Sequence, residues 1–297
     1  MTTPTITVRI LGGLGNQLFA YAAARRLAVK NDCDLVIDHV SGFRFDKKYK
    51  RTYQLDHFKI PCRKANPSEM MEPFSRVRRY IRKKTNQNKD FFHRDYIQQE
   101  VFDFDDRLID FKPNKNICIE GYWQSENYFK DIEALIRQDL VISSPQDVRN
   151  QELVRQITEH KNPVAVHYRY FNEDQSSSDN LSLDYYRQAF ERISTMVENP
   201  HFFVFSDHPE KVLQASRLPE EHVTIVSHNR GEDMAFADLW LMQQCRHFII
   251  ANSTFSWWGA WLGSQKDKTI IAPKLVKRFG DSWWGFSGLL PETWILV

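Results

Sequence analysis

Four short stretches carry polar residues or glycines where a strand gives way to a helix, the position from which side chains reach a ligand. The first is Gly12-Gly13-Leu14-Gly15-Asn16-Gln17. Glycine allows a tight turn and a close backbone approach. A helix starting near Asn16 would aim free N–H groups and a positive dipole end at that ligand. Gly13, Gly15, Asn16 and Gln17 are the candidates here. Their spacing is neither GxGxxG nor the P-loop pattern, so neither site is supported, and a plain tight turn is the alternative. The second stretch is His167-Tyr168-Arg169. Residues two apart on a strand share a face, and a guanidinium suits a pyrophosphate because it donates in a fork and stays charged. The alternatives are a core histidine and a structural ion pair.

The third stretch is Ser206-Asp207-His208-Pro209, where Asp207 either caps the next helix or accepts the two N–H donors of a guanine edge. The fourth is Asn252-Ser253-Thr254-Phe255-Ser256-Trp257-Trp258-Gly259. A helix opening on small polar residues adds hydroxyls to its free amides and becomes an anion site. Plain capping needs only one hydroxyl residue, and Ser253, Thr254 and Ser256 supply three. Together, Arg169, Asp207 and this helix start describe a pocket for a nucleoside diphosphate, with a nucleotide-sugar as the natural candidate. Sugars also stack on aromatic rings, and Trp123, Trp257, Trp258, Trp283 and Trp284 lie near these ends, with core packing as the alternative.

The elements that must position these residues alternate. Strands are expected over 5–11, 34–38, 117–120, 164–168, 202–205, 223–226, 248–251 and 269–272. Helices are expected over 18–30, 125–140, 145–160, 183–198, 209–215, 233–245 and 255–264. Such alternation with short connections means parallel sheets covered by helices. The weakest seam lies near Lys161-Asn162-Pro163. It predicts an N-terminal α/β domain over 1–160 and a C-terminal nucleotide-sugar-binding α/β domain over 161–297, facing across a cleft, with the tail 280–297 packing back on the first half. Ligands in such sheets sit beyond the carboxyl ends of the strands.

The chain has 297 residues, enough for two modest domains with their own cores, and its formal net charge is only +2. That balance argues against a nucleic-acid binder. The apolar runs fall short of a membrane span, and the first residues lack the layout of a secretory signal. Four cysteines without a CxxC pair predict reduced thiols and no zinc site. Residues 39–115 are the least regular. They contain a basic run of Arg76, Arg78, Arg79, Arg82, Lys83, Lys84 and Lys89, which reads either as a solvated helix face or as a patch for anionic lipid headgroups.

Several long motifs stand in a familiar order: VRILGGLGNQLFAYAAARRLA near the start, EGYWQSENYF in mid-chain, His167-x-Arg169, Phe205-Ser206-Asp207, and HFIIANSTFSWWGAWLG from His247 to Gly263. Over nearly the whole chain this resembles the bacterial α-1,2-fucosyltransferases, glycosyltransferase family 11. The resemblance implies a GT-B-like α/β fold of two Rossmann-like parallel-sheet domains and a metal-independent, inverting transfer without a cofactor. The implied donor is GDP-β-L-fucose and the implied acceptor the 2-hydroxyl of a galactose in an O-antigen or similar surface glycan. By the same carry-over, Arg169 would neutralise the departing GDP, and His167 and Asp207 would lie around the guanine. Ser253, Thr254, Phe255 and Ser256 would hold the phosphates, Asn252 would be a further substrate-binding residue, and Gly13 to Gln17 would line the opposite wall.

One motif departs from the family pattern. Where HxRRGDY is usual, this chain has Tyr170, Phe171 and Asn172 after Arg169. The change removes a cation and a carboxylate from the donor side, leaving Asn172 as the polar candidate. It opens the choice of another GDP-6-deoxyhexose, such as GDP-colitose, or of a non-catalytic nucleotide- or glycan-binding relative. The expected location is the cytoplasm, with peripheral contact at the inner face of the membrane through the basic run.

Overall fold

The computed structural model describes residues 3–169, 180–206, 220–274 and 284–297. The chain divides into two compact units, Met1–Ile142 with Ser287–Leu289, and Ser143–Phe286 with Leu290–Val297.

The first unit is built on a five-stranded sheet in the order β3-β2-β1-β5-β4. Its strands are β1 (Thr5–Arg9), β2 (Asp34–Asp38), β3 (Arg63–Lys64), β4 (Tyr96–Gln98) and β5 (Ile117–Glu120), and every pairing is parallel. Helix α1 (Leu14–Lys30) starts earlier than position 18, because Gly13 serves as its N-cap. The small side chains of Ala20, Ala22, Ala23, Ala24 and Ala28 are all buried, which lets the helix backbone lie close to its neighbours. Helix α2 (Ser75–Gln87) carries the basic run, and α3 (Glu133–Asp139) is preceded by two short 3-10 turns. The expected helix over 125–140 is therefore broken, with Ser125 capping only the first turn.

The basic run is divided, with Arg79, Arg82 and Lys83 turned to carboxylates and Arg76, Arg78, Lys84 and Lys89 exposed. Arg79 pairs with Asp38 at 3.5 Å, Arg82 with Asp95 at 3.3 Å, and Lys83 with Glu120 at 2.5 Å. Asp38 and Glu120 end β2 and β5, so α2 delivers cations to carboxylates that the sheet buries. Arg9, at the end of β1, also pairs with Glu120 at 3.2 Å and donates to the Ser41 hydroxyl at 3.0 Å. Burial pushes the Glu120 carboxyl up, but Arg9, Lys83 and the Tyr96 hydroxyl outweigh it and hold the group below the usual carboxylate range.

The second unit has a six-stranded sheet in the order β11-β10-β9-β6-β7-β8. Its strands are β6 (Pro163–Tyr168), β7 (His201–Ser206), β8 (Val223–Val226), β9 (His247–Ile249), β10 (Ile270–Ala272) and β11 (Ile295–Leu296), again all parallel. Its described helices are α4 (Val148–Glu159), α5 (Leu183–Met196), α6 (Ala235–Met242) and α7 (Thr254–Leu262). The expected helix over 209–215 lies outside the described residues. β6 is buried along its whole length, as a central parallel strand must be. The core beneath α5 joins Tyr185, Tyr186, Phe190 and Ile193 to Val164, Val166, Phe202 and Val204.

The division at Ile142/Ser143 differs from the expected boundary at 160/161. Helix α4 belongs to the second unit because Asn150, fully buried, exchanges amide hydrogen bonds with Asn229 at 3.0 Å each and meets His228 Nε2 at 3.0 Å. No local signal announces a partner 79 residues away. The tail is also split. Ser287 exchanges hydrogen bonds with Phe104 and Asp103 in the first unit, whereas β11 pairs with β10 in the second.

Candidate active site

In an open parallel sheet the strand order reverses at one place, and the chain leaves the two adjoining strands toward opposite faces, opening a crevice at their carboxyl ends. In the second unit that place lies between β6 and β9, and in the first unit β1 stands at the middle of its sheet beside β5, the last strand of that sheet in chain order. Three of the four stretches singled out in the sequence leave these strands.

Behind β1, Gly12 adopts a φ of 80°, and a Cβ there would come within 3.1 Å of the Asn16 and Tyr122 side chains. Gly13 then caps α1 with no side-chain hydrogen bond, and Gly15 is buried in the first turn. Asn16 links the ends of β1 and β5, because its Oδ1 accepts from Gln124 Nε2, beyond β5, at 2.7 Å. Gln17 is used internally. Its Nε2 donates to the Gly12 and Thr52 carbonyls at 2.9 and 2.8 Å, and its Oε1 accepts from the Gln54 amide at 2.9 Å. It therefore holds the glycine turn in place instead of facing a ligand.

Sequence reasoning missed Arg51. Its guanidinium lies against Gly13, where a Cβ would come within 2.1 Å of Nη1, and sits 4.9 Å from the centre of the Tyr49 ring. A cation beside a helix N-terminus is a setting an anion prefers, and the Asp46 carboxylate, which accepts from the Arg51 amide at 3.2 Å, offsets part of that charge. Arg51 lies within 39–115, where no periodicity marked an element.

In the second unit, His167 is the last residue but one of β6 and almost fully buried, with Arg169 just beyond the strand. Burial, and then the charge of Arg169, push the His167 imidazole down to about 3, so it is neutral at physiological pH. Its ring lies 5.3 Å from the Phe255 ring, across the reversal point. Ser253 caps α7 by accepting from the Phe255 amide at 3.3 Å. Asn252, Ser253, Thr254 and Phe255 are half-buried, whereas Ser256 is fully buried and donates to the Ser253 carbonyl at 3.2 Å. Register places Tyr168 beside Ser206, so the ends of β9, β6 and β7 stand side by side.

Asp207 and Asn172 lie outside the described residues, as do Tyr170, Phe171 and Trp283. Trp123, Trp257 and Trp258 are buried core residues, not exposed stacking platforms, and Trp257 packs against Trp258, Trp261 and Trp294. Among the described residues, no three His, Cys, Asp or Glu side chains form a group able to hold a metal ion. All four cysteines are free thiols. No described helix is long and apolar enough to cross a membrane.

The fold and the sequence both have relatives. The sequence pattern of Glycosyl transferase family 11 matches residues 5–279. The O-antigen biosynthesis glycosyltransferase WbnK of Escherichia coli is 28% identical, over 96% of this chain and 97% of its own. The alpha-1,2-colitosyltransferase of Escherichia coli is 27% identical, over 90% and 91%. Among solved structures, the NodZ alpha-1,6-fucosyltransferase soaked with GDP-fucose superposes with a TM-score of 0.55 at 16% identity, covering 88% of this chain and 93% of that one. Arabidopsis thaliana FUT1 in complex with GDP superposes with a TM-score of 0.52 at 14% identity, covering 91% and 70%. Two parallel sheets wound as in these GT-B-like enzymes, with the family's motifs standing at the ends of their strands, identify the chain as a member of glycosyl transferase family 11.

Proposed function

We propose that this glycosyltransferase moves a 6-deoxyhexose from its GDP derivative to the 2-hydroxyl of a galactose in a surface glycan, with inversion at the anomeric carbon. The observation that carries the reading is Arg169 at the end of β6, next to the strand that leads into the Ser253-capped helix α7. The donor is GDP-β-L-fucose in the first instance. The similarity to an alpha-1,2-colitosyltransferase, together with Tyr170, Phe171 and Asn172 in place of the usual residues, favours GDP-colitose as the second reading.

The acceptor hydroxyl attacks the anomeric carbon on the face opposite GDP. The new C–O bond forms as the bond to the β-phosphate oxygen breaks, the electron pair leaves with GDP, and the hydroxyl proton passes to water. Arg169 and the amides and hydroxyls of Ser253 and Thr254 stabilise that developing charge, and preorganised donors of this kind are commonly the largest contribution to rate. Asp207 and the neutral His167 serve the guanine side, and Asn172 the sugar side. Gly13, Gly15 and Asn16 serve the acceptor side, with Gln17 fixing their backbone. Leaving-group stabilisation by side chains and amides requires neither a metal nor a cofactor, so chelator leaves the rate unchanged.

The test is a donor screen with a galactose-terminated oligosaccharide. Release of GDP together with a product heavier by one fucose supports the first reading, and a product lighter than that by one oxygen supports colitose. GDP release without glycan product, or tight GDP binding without turnover, overturns the transfer.

A further inference from the structure

Helix α2 is amphipathic the wrong way round for a helix that only covers a core. Ser75, Arg79 and Asn86 are its buried residues, and Arg82 and Lys83 turn to Asp95 and Glu120. The opposite side carries Val77, Tyr80 and Ile81, which are 57%, 62% and 54% exposed. With Lys84, these residues follow the i, i+3, i+4, i+7 spacing of a single helical stripe. Phe74, at the N-cap, holds a left-handed φ of 67° and is 75% exposed. A bulky residue rarely adopts that backbone. Arg76 and Arg78 flank the stripe, and both are exposed. The described neighbours of α2 take up its polar face and leave its apolar face to solvent.

We propose that the Phe74–Val77–Tyr80–Ile81 face of α2 docks on an anionic lipid surface, lying in the plane of the headgroups. An apolar and aromatic stripe edged by Arg76, Arg78 and Lys84 is the pattern of an interfacial helix, whose binding combines buried apolar area with attraction to anionic headgroups. The charge around the stripe selects this occupant. A second copy packing on the same face by two-fold symmetry would set each of these cations near its own equivalent. The contact differs from one made by the whole basic run, because Arg79, Arg82 and Lys83 are committed to carboxylates within the unit. The proposal stands on α2 alone and is independent of which sugar is transferred.

The experiment is co-sedimentation of the full chain with phosphatidylcholine vesicles, with and without phosphatidylglycerol. The wild-type chain should bind the phosphatidylglycerol vesicles, and more weakly as salt rises. V77S/I81S should lower partitioning by about tenfold or more, given the apolar area removed. R76E/R78E/K84E, a second variant altered only at exposed positions, should abolish the preference for phosphatidylglycerol. Wild-type chain that stays in the supernatant, or V77S/I81S that binds as well as wild type, overturns the proposal. So does a concentration-dependent dimer reversed by V77S/I81S in the absence of vesicle binding. A soluble acceptor assayed in parallel reads transferase activity separately from docking.

Discussion

The His167 and Phe255 rings meet at 5.3 Å, tilted by 52°, across the ends of β6 and β9. One residue lies near the end of β6 and the other in the first turn of α7, so the contact ties the start of α7 to the strand that leads to Arg169. Burial, and then the charge of Arg169, keep His167 neutral, leaving Arg169 as the positive charge beyond this strand end.

Arg169→Ala should lower kcat/KM by about 10²–10³, the range for losing one preorganised donor to a developing negative charge. Arg169→Lys should recover part of the loss, because it restores the charge without the planar fork. Steady-state kinetics with the donor varied would check both. An alanine variant turning over at the wild-type rate would remove Arg169 from leaving-group stabilisation.

Two glycines in the first unit should respond differently to alanine. At Gly13 the new Cβ meets the end of the Arg51 side chain, which can swing away. Stability should change by less than about 1 kcal/mol, while activity falls if the Arg51 corner serves the reaction. At Gly42 the new Cβ comes within 1.9 Å of the Ile10 carbonyl oxygen. That is backbone, so Gly42→Ala should cost about 1–3 kcal/mol. Denaturant midpoints separate the two, and equal destabilisation would contradict the contact geometry.

The pH dependence of stability should have two limbs of opposite sign. His167 has a folded pKa of about 3, against its ordinary 6.5. The unfolded chain binds that proton first, so stability is lost as pH falls from about 6.5 toward 3. Asp238 is pushed up by burial to about 7 from 3.8, although Asn229 Nδ2 donates to it at 2.8 Å. The folded chain holds this proton longer, so stability is lost as pH rises from about 4 through 7. Asp238→Asn should therefore raise the melting temperature at pH 8 by at least about 3 °C, and by little at pH 4. His167→Phe should shift acid unfolding to lower pH. Melting curves across pH that show neither change would refute the two buried forms.

Much of the fold was legible because parallel strands announce themselves locally. Residues 34–38 and 223–226 were expected as strands and are strands with those limits. The helix expected over 183–198 begins at Leu183, where the Ser182 hydroxyl caps it by accepting from the Tyr185 amide at 3.2 Å. Short β-branched runs, glycine turns and capping hydroxyls act over a few residues, so sequence alone reveals them. Strands β3 and β4 were missed because two or three residues carry no usable period. The helix expected over 125–140 was broken because Ser125 caps only a 3-10 turn.

By itself the sequence determined the two parallel-sheet units, the glycine turn after β1 and the polar helix start after β9, because each depends on neighbours within one turn or strand. Tertiary structure decided what those residues do. It placed Gln17 and Ser256 inside the framework, brought Arg51 against Gly13, and paired Asn16 with Gln124 from 108 residues away. It also divided the basic run, because the carboxylates that draw Arg79 and Lys83 inward end strands β2 and β5, far off in the chain. Ion pairs of that separation leave no local pattern, and only folding the sheet brings their partners together.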